Sequence, residues 1–212
     1  TDKLYKDKIR AVIRELSTNA LDAHKDAGNE NRFTVNLPTD FEPFFKVIDN
    51  GTGMTPDQVR TLYTSFFSSS KAERNDQIGA LGLGSKSPFA VTDTFNIESV
   101  CEGQKGIYTC FLTNKGPQLL DVDHFASNEP NGTTISLPVN DSQMDEFITK
   151  AIMVFYGFEE KDRPIITGAK EKYETNWKDR IIAASQLFLT GPNGEWKLYG
   201  QLPSIITNSR ND

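Results

Sequence analysis

The 212-residue chain has only two cysteines and two histidines, and it lacks any apolar run long enough to cross a bilayer. No charged-then-apolar leader stands at its start, so neither a membrane span nor a signal peptide is expected, and the chain reads as cytosolic. Thr1 stands where a Met would begin a full chain, so an upstream piece is expected to be missing. Cys101 and Cys110 flank a Gly-containing turn, Glu102 to Gly106, and could face each other across a hairpin. Two cysteines without a secretion signal do not make a disulfide scaffold, and reduced thiols serving as small apolar core residues are expected. A basic excess is missing too: 23 Lys and Arg stand against 29 Asp and Glu, a net charge of −6. That removes the electrostatic footprint of a dedicated DNA-binding domain. What is present, 37% hydrophobic, 25% charged and 10% aromatic residues, suits a globular chain. Its length allows one large domain, or one domain and the start of another.

Leu4, Ile9, Val12, Ile13, Leu16, Ala20 and Ala23 recur at helical spacing before a Gly28-Asn29 stop, which predicts a long amphipathic helix. Residues 33–37 and 44–48 read as neighbouring strands, and Thr55-Pro56 opens a short helix running to about Tyr63. The stretch from Ser65 to Ser87, rich in Ser, Gly and Lys, has the character of a mobile or ligand-shaped loop that ends by opening a helix near Gly84. Strands are predicted over 94–101, 106–113 and 133–139, then a helix from Asp141 to about Phe155. From Phe158 the pattern changes to a charged linker, a short helical stretch and a hairpin around residues 191–194. The expected domains are therefore 1–157 and the start of a second module over 158–212.

Four segments carry chemistry. Glu15, Asn19 and Asp22, at i, i+4 and i+7, share one face at the edge of the apolar stripe; alone, the trio also suits an ordinary solvated helix face. Asp49-Asn50-Gly51-Thr52-Gly53-Met54 follows an apolar strand directly. An Asp there can accept from an exocyclic amine while glycines let a flat base lie on the backbone, although a plain strand-to-helix turn reads the same way. In Ile78-Gly79-Ala80-Leu81-Gly82-Leu83-Gly84-Ser85-Lys86-Ser87, three glycines free backbone amides to converge on an anion and Lys86 adds charge: a phosphate cradle, or a flexible loop. The segment fits neither G-x-G-x-x-G nor the Walker pattern. Asn131-Gly132-Thr133-Thr134 opens a strand and offers the Thr133 hydroxyl.

In this order the four segments resemble the GHKL ATPase superfamily, the nucleotide-binding fold shared by gyrase B, ATP-driven chaperones, MutL and histidine kinases. Residues 8–16, 66–73 and 82–89 also resemble the bacteriophage rapid-lysis proteins of the RIIA type, a similarity that runs to about Val139. The resemblance implies an α/β (α+β) two-layer sandwich of the Bergerat type, with a mixed, mainly antiparallel sheet and helices on one face. It implies ATP and Mg²⁺ as ligands. Glu15 would be the general base, Asn19 the Mg²⁺ ligand and Asp22 a supporting group. Asp49 would read the adenine amine with Thr133, and Gly53 and Met54 would wall the pocket. Gly82, Leu83, Gly84 and Ser85 would present amides to the phosphates, with Lys86 and Lys71 adding charge, under a lid at residues 72–77.

The implied function is an ATP-gated switch with weak ATPase activity in phage lysis inhibition. An RIIB-type partner or a self-dimer would receive it, in the infected host's cytoplasm or peripherally at its inner membrane. A topoisomerase- or MutL-like clamp on DNA is the alternative. It would need a basic channel, but Lys161, Arg163, Lys170, Lys172, Lys178 and Arg180 are interrupted by Asp162, Glu171, Glu174 and Asp179, a mixed-charge linker. A phosphotransferase would need a donor histidine. His24 and His124, the latter in a loop-like stretch, are expected to be structural or exposed.

Overall fold

The computed structural model describes residues 7–64, 84–114, 116–186, 188–190 and 196–198. Helix α1 (Lys8–Asp26) starts where the Asp7 side chain accepts from the Arg10 amide, and it buries Ile9, Val12, Ile13, Leu16 and Ala20 on one stripe. Leu4 lies outside the described residues. Strands β1 (Thr34–Leu37) and β2 (Phe44–Asp49) follow, and alternate residues of β2 point into the core. Helix α2 (Pro56–Thr64) opens on a reciprocal cap, in which the Thr55 hydroxyl accepts from the Gln58 amide and the Gln58 side chain accepts from the Thr55 amide. A 3-10 helix, Gly84–Ala90, precedes β3 (Thr94–Cys101), β4 (Gln104–Thr113), β5 (Gly116–Ala126) and β6 (Gly132–Pro138). Then come α3 (Met144–Tyr156), β7 (Ile165–Gly168), α4 (Lys170–Gln186), β8 (Phe188–Thr190) and β9 (Trp196–Leu198).

Among the described residues, seven strands form one sheet in the order β5-β4-β3-β6-β2-β1-β7, antiparallel throughout except for the parallel pair β1 and β7. Its inner face carries Val35, Phe45, Val47, Phe95, Ile97, Tyr108 and Leu137, packed against the buried faces of α1 and α3. This is the α+β two-layer sandwich the resemblance implied. Strands β8 and β9 pair separately, with Phe188 opposite Leu198.

The structure corrects the sequence reading in three places. Residues 116–126, predicted as no element, form the sheet's edge strand, so His124 sits on β5 and not in a loop. The charged linker is instead β7, which adds to the main sheet beside β1, and α4, whose Tyr173 enters the core. Cys101 and Cys110 do not face each other: Cys101 lies opposite Gln104 and Cys110 opposite Phe95. Both thiols are free, as expected, and burial pushes that of Cys110 up to about 12.

Candidate functional site

Asp49 ends β2 on the inner, helix-covered face and is only 8% exposed. Its Oδ1 accepts from the Gly51 amide at 2.9 Å and from the Thr133 amide, across the β2–β6 register, at 3.2 Å. Among the described residues Oδ2 has no partner. Burial pushes the carboxyl above its ordinary value, against the lowering pull of the Gly51 and Thr133 amides. With one oxygen held by two amides and the other without a partner among the described residues, the carboxylate has an acceptor to offer a ligand's hydrogen-bond donor.

The turn beyond Asp49 is shaped by close approaches. Gly53 has φ +68°, and a Cβ there would lie 1.9 Å from the Val100 carbonyl oxygen, so only glycine fits. Gly51 presses on α1, where a Cβ would come 2.7 Å from that of Ala23. Asn19 stands one turn before Ala23 and Glu15 one turn earlier still, so this contact brings their stripe of α1 beside the turn. Asn19 is exposed, Glu15 half-buried, and neither side chain has a partner among the described residues. Asp22 is exposed and lies 3.8 Å from Lys25.

Met54 is held by a residue the sequence reading missed. The Ser99 hydroxyl accepts from the Met54 amide at 2.7 Å and donates to the Met54 carbonyl at 3.1 Å. Ser99 is buried on the inner face of β3 after Phe95 and Ile97, and a hydroxyl interrupting that apolar alternation was the available signal. Thr133 contributes its amide to Asp49, and its own hydroxyl is free of partners among the described residues.

His24, expected to be structural or exposed, is buried: its Nε2 accepts from the Asn50 amide at 2.7 Å and its Nδ1–H donates to the Asn31 carbonyl at 2.8 Å.

Lys71, the lid at residues 72–77, Gly82 and Leu83 lie outside the described residues. The backbone of Gly84, Ser85 and Lys86 opens the 3-10 helix that packs against α1. Within that helix the Ser87 hydroxyl is buried without a partner among the described residues, an open polar group in the segment read as a phosphate cradle.

Over residues 5–141 the sequence matches the family described as histidine kinase-, DNA gyrase B-, and HSP90-like ATPase. The chain belongs to this family. Every candidate residue from Glu15 to Thr133 falls inside the matched span, and membership in this GHKL group supports ATP binding. The chain is also similar to "Chaperone protein HtpG" of Aliarcobacter butzleri (strain RM4018), 28% identical over 175 residues, which cover 71% of this chain. It spans 27% of that protein's length. Among the described residues, no helix is long and apolar enough to cross a membrane, and no group of three His, Cys, Asp or Glu side chains could hold a metal.

Proposed function

We propose that this GHKL domain binds ATP with Mg²⁺ and uses slow hydrolysis to drive a conformational switch. The observation that carries the reading is Asp49. One carboxylate oxygen is pinned by two backbone amides and the other has no partner among the described residues, beside a turn that approaches too closely for any Cβ at Gly53. The open oxygen would accept the adenine amino group, and the Thr133 hydroxyl is free to assist. Asn19 offers the neutral amide oxygen suited to Mg²⁺ beside a triphosphate, a site that needs no carboxylate cluster; the ion would offset phosphate charge. Glu15, half-buried and without a partner among the described residues, would polarise the attacking water. Gly82 to Lys86 and Lys71 would receive the phosphates, and residues 72–77 would order over them, passing nucleotide state to a protein partner or a second copy.

The resemblance to RIIA-type proteins supports a role in phage lysis inhibition, in the host cytoplasm or at its inner membrane through an RIIB-type partner. Four of the six C-terminal cations are engaged within the chain, which weighs against the DNA-clamp alternative. Lys161 pairs with Glu159, Lys170 with Glu174 and Lys172 with Asp145, while Arg163 lies over the Trp177 ring.

Calorimetric titration of ATP and a non-hydrolysable analogue, with and without Mg²⁺, tests the reading. Mg²⁺-dependent binding should be lost in Asn19→Ala and weakened tenfold or more in Asp49→Asn, as expected for a hydrogen bond to a charged group worth roughly 1.5–3 kcal/mol. Glu15→Ala should bind ATP and release no phosphate. Wild-type affinity in Asp49→Asn would reject the adenine assignment.

A further inference from the structure

Asn50 is gripped on both sides by residues that the ATPase reading does not use. Its amide donates to His24 Nε2 at 2.7 Å, and its carbonyl accepts from Asn29 Nδ2 at 2.9 Å. The two grips are tied to each other through Asn31. The Asn31 amide donates to Asn29 Oδ1 at 3.0 Å, and its carbonyl accepts from His24 Nδ1–H at 2.8 Å. These four bonds close a ring through His24, Asn50, Asn29 and Asn31. The ring fixes the histidine tautomer, because an amide can only donate to Nε2 and a carbonyl can only accept from Nδ1–H. The helix end belongs to the same assembly, since the Asn29 amide caps the His24 carbonyl at 2.8 Å.

The ring acts on Asp49 through one peptide plane. The Asn50 carbonyl held by Asn29 and the Gly51 N–H that donates to Asp49 Oδ1 belong to the same planar unit, so fixing one end aims the other. Rotation of that plane would withdraw the Gly51 amide and change which carboxylate oxygen stays open.

We infer that His24 and Asn29 are positioning residues for Asp49 and thereby set the preference of the site for adenine over guanine. The inference rests on the ATP-site reading above. Guanine places a carbonyl oxygen where adenine has its amino group, and a fixed carboxylate oxygen repels it. A carboxylate free to turn discriminates less.

The test measures dissociation constants of ATP and GTP by calorimetry in the wild type, His24→Leu, His24→Gln and Asn29→Ala, with thermal melting alongside. His24→Leu removes both ring bonds, whereas Gln at this position can still accept from the Asn50 amide. The ATP-over-GTP ratio should fall about fivefold or more in His24→Leu and Asn29→Ala and stay within about twofold of wild type in His24→Gln. A role in stability alone would lower melting and leave the ratio untouched, and that result overturns the inference. If His24→Leu does not fold, Asn29→Ala, on a loop outside the core, decides. Nitrogen-15 spectra of the nucleotide-free protein should show the Nδ1–H tautomer, and Nε2–H would overturn the ring, and the inference with it, without reference to nucleotide. A folded wild type that binds neither nucleotide overturns the ATP-site reading and the inference with it; retained ATP binding with an unchanged ratio overturns the inference alone.

Discussion

At Asp49 burial and charge pull in opposite directions. Its folded-state pKa is raised, so the folded chain holds this proton more tightly than the unfolded chain does. The associated stability is fully present below about pH 3.8 and is lost as pH rises through the higher folded value. Asp49→Asn should therefore melt above the wild type at pH 7, and the gap should close toward pH 4, in thermal scans across that range; a variant melting several degrees lower at pH 7 would refute the burial argument. Gly53→Ala sets a left-handed backbone and a 1.9 Å approach to the Val100 carbonyl against the fold, and chemical denaturation should show a loss of about 3 kcal/mol. Asp49 and Gly53 were legible because a carboxylate and spaced glycines at a strand's end leave a local signature. The grips on the same turn were not. Asn29 and His24 reach Asn50 across 21 and 26 positions and Ser99 reaches Met54 across 45, distances at which spacing along the chain carries no record of register.

Strand β5 shows why some elements escape a reading of the sequence. It opens on Gly116-Pro117, and its alternation breaks where Ile107 pairs with Asp123 and Tyr108 with Asp121, leaving Val122 as an extra residue. Being the edge, it leaves Leu120 and Val122 about half exposed, so it offers no clean apolar side to detect. Its tie to α2 is electrostatic: the Arg60 guanidinium donates to Asp121 from Nη2 at 2.5 Å and from Nε at 3.2 Å, and His124 bonds the other carboxylate oxygen. Burial alone would raise the Asp121 carboxyl, but Arg60 and His124 hold it below its ordinary value. That contribution is present above about pH 3.8 and is lost as pH falls through the lower folded value. Asp121→Asn should speed hydrogen exchange in α2 and β5 at neutral pH while leaving β2 and β6 unchanged. Identical exchange in α2 would show that the tie carries nothing. The helices α1 and α2 and the strands β1 to β4 and β6 were readable because their periodicity is unbroken and their ends carry caps and glycine turns.

Across the whole molecule, composition suggested a change of character at residue 158, yet the sheet continues past it. The Ile165 amide donates to the Phe33 carbonyl at 2.8 Å, the Thr167 hydroxyl donates to Asn36 at 3.0 Å, and Tyr173 is buried in the shared core. A chain ending at Gly157 should melt roughly 5–10 °C lower by circular dichroism, given about 2–4 °C per kcal/mol for a protein of this size. Equal melting would mean that β7 and α4 add nothing to the sheet. Pairing of β1 with β7 could not be foreseen, because four residues of Ile165–Gly168 give too short a pattern and a parallel partner can lie anywhere downstream.

That pairing has a consequence during synthesis. Asn36 leaves the ribosome 131 residues before Thr167, the residue that bonds it. At roughly 5–20 residues per second, one side of β1 stays open for about 7–26 s after it emerges. Its neighbour β2 and the cap on α1 can form in that interval, so the turn after Asp49 is set while an edge of the sheet is still unpaired. A nascent chain stalled before Ile165 should present β1 to any strand that arrives first.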